Sequence, residues 1–214
     1  MNLDELIAQV DRVIQDDDFD GDVITTYLNR GMLEISGGIR RYDSSVLTQP
    51  LPELYVIGTV ATTDVCKASL PVLYQRDVVM AVDYLGRELT IYDSFTEFAK
   101  TYPLMTATGY INALAIKGRD LYYQNIPVVS ELVTIHYHRY PEDMTIGSDS
   151  PDGLPVHFHN ILVDYVCKEF FNIIEDGLDG KNVNTSKYEI RFQKGIEALD
   201  ASISADAPPF RFSA

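Results

Sequence analysis

Apolar residues recur at helical spacing at both ends of this chain and give way between them to strand-like segments. This double change of period constrains the fold more than any other feature of the sequence. Asn2 stands where a helix N-cap would, with Glu5 three residues later, and Leu3, Leu6, Ile7, Val10, Val13 and Ile14 then repeat as one face of a helix reaching Gln15. The acidic turn DDDFDGD interrupts it. Val23, Ile24, Tyr27, Leu28, Met32, Leu33 and Ile35 mark a second helix that stops at Gly37 and Gly38, because glycine tolerates the left-handed conformation that ends helices.

From about Val46 to Tyr140 the texture is that of a β domain. ELYVIGTVAT, DVVMAVDYL, RELTIYD, YINALAIKG, RDLYYQNI and ELVTIHYHRY are rich in Val, Ile, Tyr and Thr, and the turn signals LGRE and KGRD separate some of them. Short connections predict an antiparallel meander closing into a small sandwich or barrel. SFTEFAKTYP reads as one short helix or an irregular crossover.

Helical period returns after the turn-rich SDSPDGLP, at Phe158, Ile161, Leu162, Tyr165, Val166, Phe170 and Ile173, with Gly177 and Gly180 as its stop. A last helix, about Ser186 to Ser204, carries Tyr188, Phe192, Ile196, Leu199 and Ile203 on one face and Glu189, Lys194 and Glu197 on the other. The predicted class is α+β, a helical body formed by the N- and C-terminal helices with an inserted antiparallel β domain. The expected division is 1–45 as the N-terminal helical pair, 46–140 as the inserted domain, 141–204 as the C-terminal helices and 205–214 as an extended tail.

At 214 residues and 46% hydrophobic, the chain has enough apolar side chains for a substantial core. Its 32 acidic and 17 basic residues give a net charge of −15, which argues against a surface that neutralises phosphates by releasing counterions. A wall of this sign repels duplex DNA and lets it slide. Cys66 and Cys167, far apart and at no metal-ligand spacing, read as buried thiols made in a reducing compartment. The opening MNLDELIAQVDRVI has acids where a signal peptide needs basic residues, and no run approaches the roughly 18 apolar residues of a membrane span.

Asp16, Asp18, Asp20 and Gly21 imitate the start of a calcium loop, but the position that needs a bidentate Glu is Tyr27, within a helical pattern. A solvated acidic turn opening the second helix is the better reading. The four histidines form two His-x-His pairs, His136 with His138 and His157 with His159. On a strand the first pair shares a face and could chelate zinc, whereas the second lies at a helix start on differing faces. No G-x-S-x-G elbow, G-x-G-x-x-G, Walker loop or H-E-x-x-H is present. The expectation is a non-enzyme without metal or cofactor, with a histidine-based metal hydrolase as the alternative from another class.

Fourteen tyrosines accompany no tryptophan. Ten of them, Tyr55, Tyr74, Tyr84, Tyr92, Tyr102, Tyr110, Tyr122, Tyr123, Tyr137 and Tyr140, fall in the strand-rich region. They fit either contacts buried on assembly or the ordinary tyrosine preference of β structure. The tail ADAPPFRFSA is not periodic. Pro208 and Pro209 exclude helix, and Phe210 and Phe212 flank Arg211 as in an extended peptide that docks in another subunit's groove, with a frayed terminus as the ordinary alternative.

In the order of its elements the chain resembles the head-to-tail adaptor (connector, head-completion) family of tailed bacteriophages, including the tail tubular protein A type. The resemblance rests on LDELIAQVDRVI, ITTYLNRGMLEI, VTIHYHRYPEDMT, LPVHFHNILVDYVCKEFF and KYEIRFQKGIEAL. It covers most of the chain, is strongest from about Thr134 to Leu199 and is weak from Val46 to Tyr102. It implies a structural virion protein of the neck, made in the host cytoplasm, with no membrane contact. By resemblance, on the order of twelve copies form a homo-oligomeric ring under the portal protein. That ring extends the DNA channel without specific DNA binding and gives tail or stopper proteins a platform. The resemblance also implies that the helical body builds the ring, that the strand domain faces outward or toward the tail, and that Pro208, Pro209, Phe210, Arg211 and Phe212 contact the portal or a neighbouring subunit. A stopper or tail-completion protein of the same layout is the nearest alternative.

Overall fold

The computed structural model describes residues 1–16, 18–37, 50–175 and 182–206. The chain divides into two compact units, one of Met1–Leu54 with Pro141–Ala214 and the other of Tyr55–Tyr140. The class is α+β, with the strand unit inserted between two helical stretches.

The helical unit holds α1 (Leu3–Ile14), α2 (Gly21–Gly37), α4 (Asn160–Ile174) and α5 (Val183–Asp206), with 3-10 turns at Pro52–Leu54 and Val156–Phe158; α3 (Phe95–Thr101) belongs to the strand unit. Asn2 forms the predicted capping box. Its side chain accepts from the Glu5 N–H at 2.9 Å, and the Glu5 carboxylate accepts from the Asn2 N–H at 3.1 Å. Two further N–H groups at the start of α1 are taken by the 147–149 loop, Leu3 donating to the Asp149 carbonyl at 2.7 Å and Asp4 to that of Gly147 at 3.1 Å. The loop is itself pinned, since Asp149 Oδ2 accepts from the Thr145 and Ile146 N–H groups. Asn29 of α2 clasps the Met144 backbone through both its carbonyl and its N–H.

The core of this unit is continuous from Leu6, Val10, Ile24 and Leu28 through Leu162, Tyr165, Val166 and Phe170 to Phe192, Ile196 and Leu199. Phe170 is fully buried, its ring stacked on Phe19 at 4.0 Å and edge-on to Tyr27 at 4.9 Å. Glu175, just past the end of α4, serves the first turn of α5. Its carboxylate accepts from the N–H and Nδ2 of Asn184 and from the N–H and Oγ1 of Thr185, at 2.8–3.1 Å. Burial pushes the Glu175 carboxyl up, but the bonds from Thr185 and Asn184 together outweigh it and hold the group below its ordinary 4.5.

A depressed carboxylate contributes its full stabilisation above the ordinary value and loses it as pH falls through the lower folded-state value. Glu175→Ala is therefore expected to lower the thermal midpoint at neutral pH, and the gap to wild type should close on acidification below about 4.5. Thermal unfolding followed by the far-UV helix signal across pH checks this. A gap that does not depend on pH would mean that the charge of Glu175 contributes nothing to the cap.

The strand unit contains two sheets. β1 (Tyr55–Ala61), β7 (Leu132–Arg139) and β3 (Tyr74–Val82) form an antiparallel three-stranded sheet in the order β1-β7-β3. β2 (Lys67–Ser69), β6 (Asp120–Tyr123), β5 (Ala113–Lys117) and β4 (Thr90–Tyr92) form the second, in the order β2-β6-β5-β4. Val60, Val133 and Ile135 of the first sheet share one core with Ala68, Leu114 and Leu121 of the second. This is a small sandwich, although its strand order is not that of a simple meander, because β4 runs parallel to β5. The reason is α3, started by the Ser94 side chain, which returns the chain between the two strands as parallel pairing requires. KGRD does make a hairpin, with Lys117 opposite Asp120 and Gly118 at φ 64°.

Candidate functional site

The described residues singled out in the sequence are divided between the two units. Pro208, Pro209, Phe210, Arg211 and Phe212 lie outside the described residues, as do Gly177 and Gly180. Asp16 Oδ1 accepts from the Asp18 N–H, and Asp20 Oδ1 accepts from the Asp22 and Val23 N–H groups at 3.1 and 2.9 Å, so Asp20 caps α2 as an acidic turn should. Both cysteines are free thiols. Cys167 is buried and its thiol is pushed up to about 12, by burial first and the neighbouring Asp164 second. Cys66 is only half-buried, a correction to the expected pair of buried thiols: it stands in the connection ahead of β2, not on an inward strand position.

The histidine pairs belong to different units. Along β7, Val133, Ile135 and Tyr137 are buried while Thr134, His136 and His138 take the other face, so the first pair shares a face as the period of two requires. Its neighbour is Tyr55 of β1, whose hydroxyl lies 2.8 Å from His136 Nδ1 and whose ring lies 5.8 and 5.5 Å from the His136 and His138 rings. His157 is exposed, but His159 is buried, with Nε2 2.9 Å from the Leu154 carbonyl and Nδ1 3.0 Å from that of Met1. Burial lowers its pKa against the pull of those carbonyls, and this ring locks the start of α4 to the start of the chain. Among the described residues no group of three or more His, Cys, Asp and Glu side chains converges as a metal site would require.

The most distinctive exposed feature is a groove of about 610 Å³ in the strand unit, lined by Tyr84, Gly109, Tyr110 and residues 128–132. Three loops build it. The first is the turn after β3, where Asp83 Oδ1 accepts from the Leu85 and Arg87 N–H groups at 2.9 and 2.8 Å and Oδ2 accepts from Arg87 Nε at 2.6 Å. With Gly86 at φ 78°, this turn holds Tyr84 at the surface. The second carries Tyr110, whose carbonyl accepts from Asn125 Nδ2 and Gln124 Nε2, and whose ring lies under the Arg87 guanidinium at 5.4 Å. The third is 128–131, fastened to the end of β1 by the Ser130 hydroxyl donating to the Thr62 carbonyl and the Glu131 N–H donating to Thr62 Oγ1.

Tyr84, Tyr110, Val128, Val129 and Leu132 are 51%, 60%, 81%, 73% and 55% exposed, five large apolar side chains lining one groove. Glu131 stands half-buried among them, and among the described residues its carboxylate makes no hydrogen bond or salt bridge. Burial pushes its carboxyl above the ordinary value, and the Asp83 charge adds to this against the pull of Arg87. Of the ten tyrosines of the strand region, Tyr84 and Tyr110 thus fit contact surface, whereas Tyr123 and Tyr137 are buried core. The groove escaped the sequence reading. Its one local signal is two consecutive valines, Val128 and Val129, in a loop after Pro127, where apolar residues have no strand to belong to.

No helix among the described residues is long and apolar enough to cross a membrane. No curated protein matches the chain. Residues 1–211 match the family model of the SU10 adaptor protein, and the chain belongs to that family of phage head-to-tail adaptors, structural proteins of the virion.

Proposed function

We propose that copies of this chain assemble, on the order of twelve together, into a ring under the portal that extends the DNA channel and offers the tail its attachment platform. The observation that carries this reading is the family match, which runs through both units and so concerns the chain as a whole. Two physical features support it. Exposed Val128, Val129 and Leu132 in the strand unit, and Ile146, Val156, Ile173 and Ile190 in the helical unit, provide apolar surface for neighbours to cover. The net charge of −15 suits a lumen through which a polyanion slides without binding. The tail residues Pro208, Pro209, Phe210, Arg211 and Phe212 are the leading contacts to the portal or to a neighbouring subunit, because they add aromatic anchors and a cation to an acidic protein.

Electron microscopy of the protein mixed with the portal ring of the same virus tests this, with a chain lacking residues 205–214 as the control. The expected result is an added symmetric layer on the portal with the full chain and a weaker or missing layer with the truncation. No layer with either chain would remove the adaptor position and favour a stopper placed further from the portal.

A further inference from the structure

We infer that the groove lined by Tyr84, Tyr110, Val128, Val129 and Leu132 receives the C-terminal segment Pro208–Phe212 of a second copy of this chain, with Arg211 paired to Glu131. The assignment of the occupant to a second copy rests on the ring reading above, since a ring sets each copy beside a neighbour and raises the effective concentration of its tail.

The argument is one of complementarity. The groove is apolar along its exposed walls, so an occupant must bring apolar side chains, and Phe210 and Phe212 are two large ones within three residues. The groove also has a charge to satisfy. Asp83 and Glu131 are two acids near one base, Arg87, and Arg87 is already committed to Asp83 through contacts of 2.6 Å from both Nε and a terminal nitrogen. One negative charge is left at Glu131, half-desolvated among valines and tyrosines, and a planar guanidinium is the cation best able to pair with a carboxylate there. The described part of the chain ends with α5, where Ile203 is the last buried residue, and Phe-Arg-Phe follows within nine residues of it. Pro208 and Pro209 reduce the freedom that the segment must give up on docking.

A fluorescent peptide of residues 205–214, titrated with the full chain carrying Phe210→Ala and Phe212→Ala so that its own tail does not compete, reads this out by anisotropy. Saturable binding is expected with Kd on the order of 10–100 µM. Glu131→Lys and Val129→Asp should each weaken it by about tenfold or more, and an Arg211→Glu peptide should bind the Glu131→Lys chain better than the unaltered peptide does. That exchange of charges shows that a weakened variant is folded and not merely damaged. No saturable binding, binding indifferent to both groove substitutions, or a peptide that binds the portal ring in place of this chain would overturn the assignment.

In the assembled layer, a Val129→Cys chain mixed with a Phe210→Cys chain should yield disulfide-linked dimers. Crosslinks found only within doubly substituted single chains would overturn the neighbour as the source of the tail. A portal layer that forms without peptide binding would reject this docking and leave the adaptor reading standing, and binding without a layer would do the reverse.

Discussion

Phe170→Ala is expected to remove about 3–5 kcal/mol from the helical unit, the range for deleting a large buried aromatic side chain when the site cannot collapse. The site has little room to collapse. Phe170 is fully buried, its ring is stacked on Phe19 with an interplanar angle of 21°, and Tyr27 meets it edge-on at 78°. Phe19 lies in the acidic connection before α2, so Phe170 fixes that connection as well as α4. Stabilities of single domains run from about 5 to 15 kcal/mol, so a loss of this size removes a large share of the total. Urea denaturation followed by the far-UV helix signal measures it, with Phe170→Leu as the companion that keeps most of the volume and should cost less than half as much. Equal losses from both variants would mean that the ring contacts with Phe19 and Tyr27, and not the buried volume, carry the stabilisation.

What the sequence made legible divides along a physical line. Where a side chain's fate depends on its own element, spacing was mostly enough, although Ile173, which the period of α4 places with the core, is 51% exposed. Leu6 and Val10 on α1, Ile24 and Leu28 on α2, Tyr165 and Phe170 on α4, and Phe192, Ile196 and Leu199 on α5 are all in the core that their period places them in. His136 and His138 share a face for the same reason. What spacing did not reveal is set from outside the element. The last helix starts at Val183, ahead of the predicted Ser186, because the carboxylate of Glu175, just past the end of α4, supplies the cap. The parallel pairing of β4 follows from where α3 returns the chain, which three residues of strand do not encode. The groove is assembled from three separate loops, and no window of the sequence holds more than one of its walls. Only Val128 and Val129, apolar and consecutive in a loop, announce it locally.

Gly31→Val and Gly195→Val are expected to destabilise the helical unit although both replace a glycine inside a helix. Propensity alone favours the opposite sign, since glycine costs a helix interior roughly 1 kcal/mol relative to alanine and valine recovers part of it. Packing decides against it. A Cβ at Gly31 would stand 2.8 Å from Tyr165 Cδ1 and 3.2 Å from Leu162 Cδ2, and one at Gly195 would stand 2.7 Å from Ile161 Cγ1. Both α2 and α5 therefore approach α4 through a residue with no side chain. Tyr165 has nowhere to retreat, because it is fully buried, its hydroxyl donates to Glu34 Oε1 at 3.0 Å and its ring centroid lies 5.5 Å from that of Phe192.

Overpacking a fixed neighbour costs about 1–3 kcal/mol or more, so valine at either position should give a net loss that the propensity gain does not offset. Denaturation of Gly31→Val, Tyr165→Leu and the double variant separates the two effects. Tyr165→Leu alone forfeits the hydroxyl bond and opens space, and the double variant should lose less than the sum of the singles by about 0.5–3 kcal/mol, because the smaller side chain yields the room the valine needs. Strict additivity would place the strain of Gly31→Val somewhere other than the contact with Tyr165, and the close approach of α2 to α4 would then not be what requires glycine.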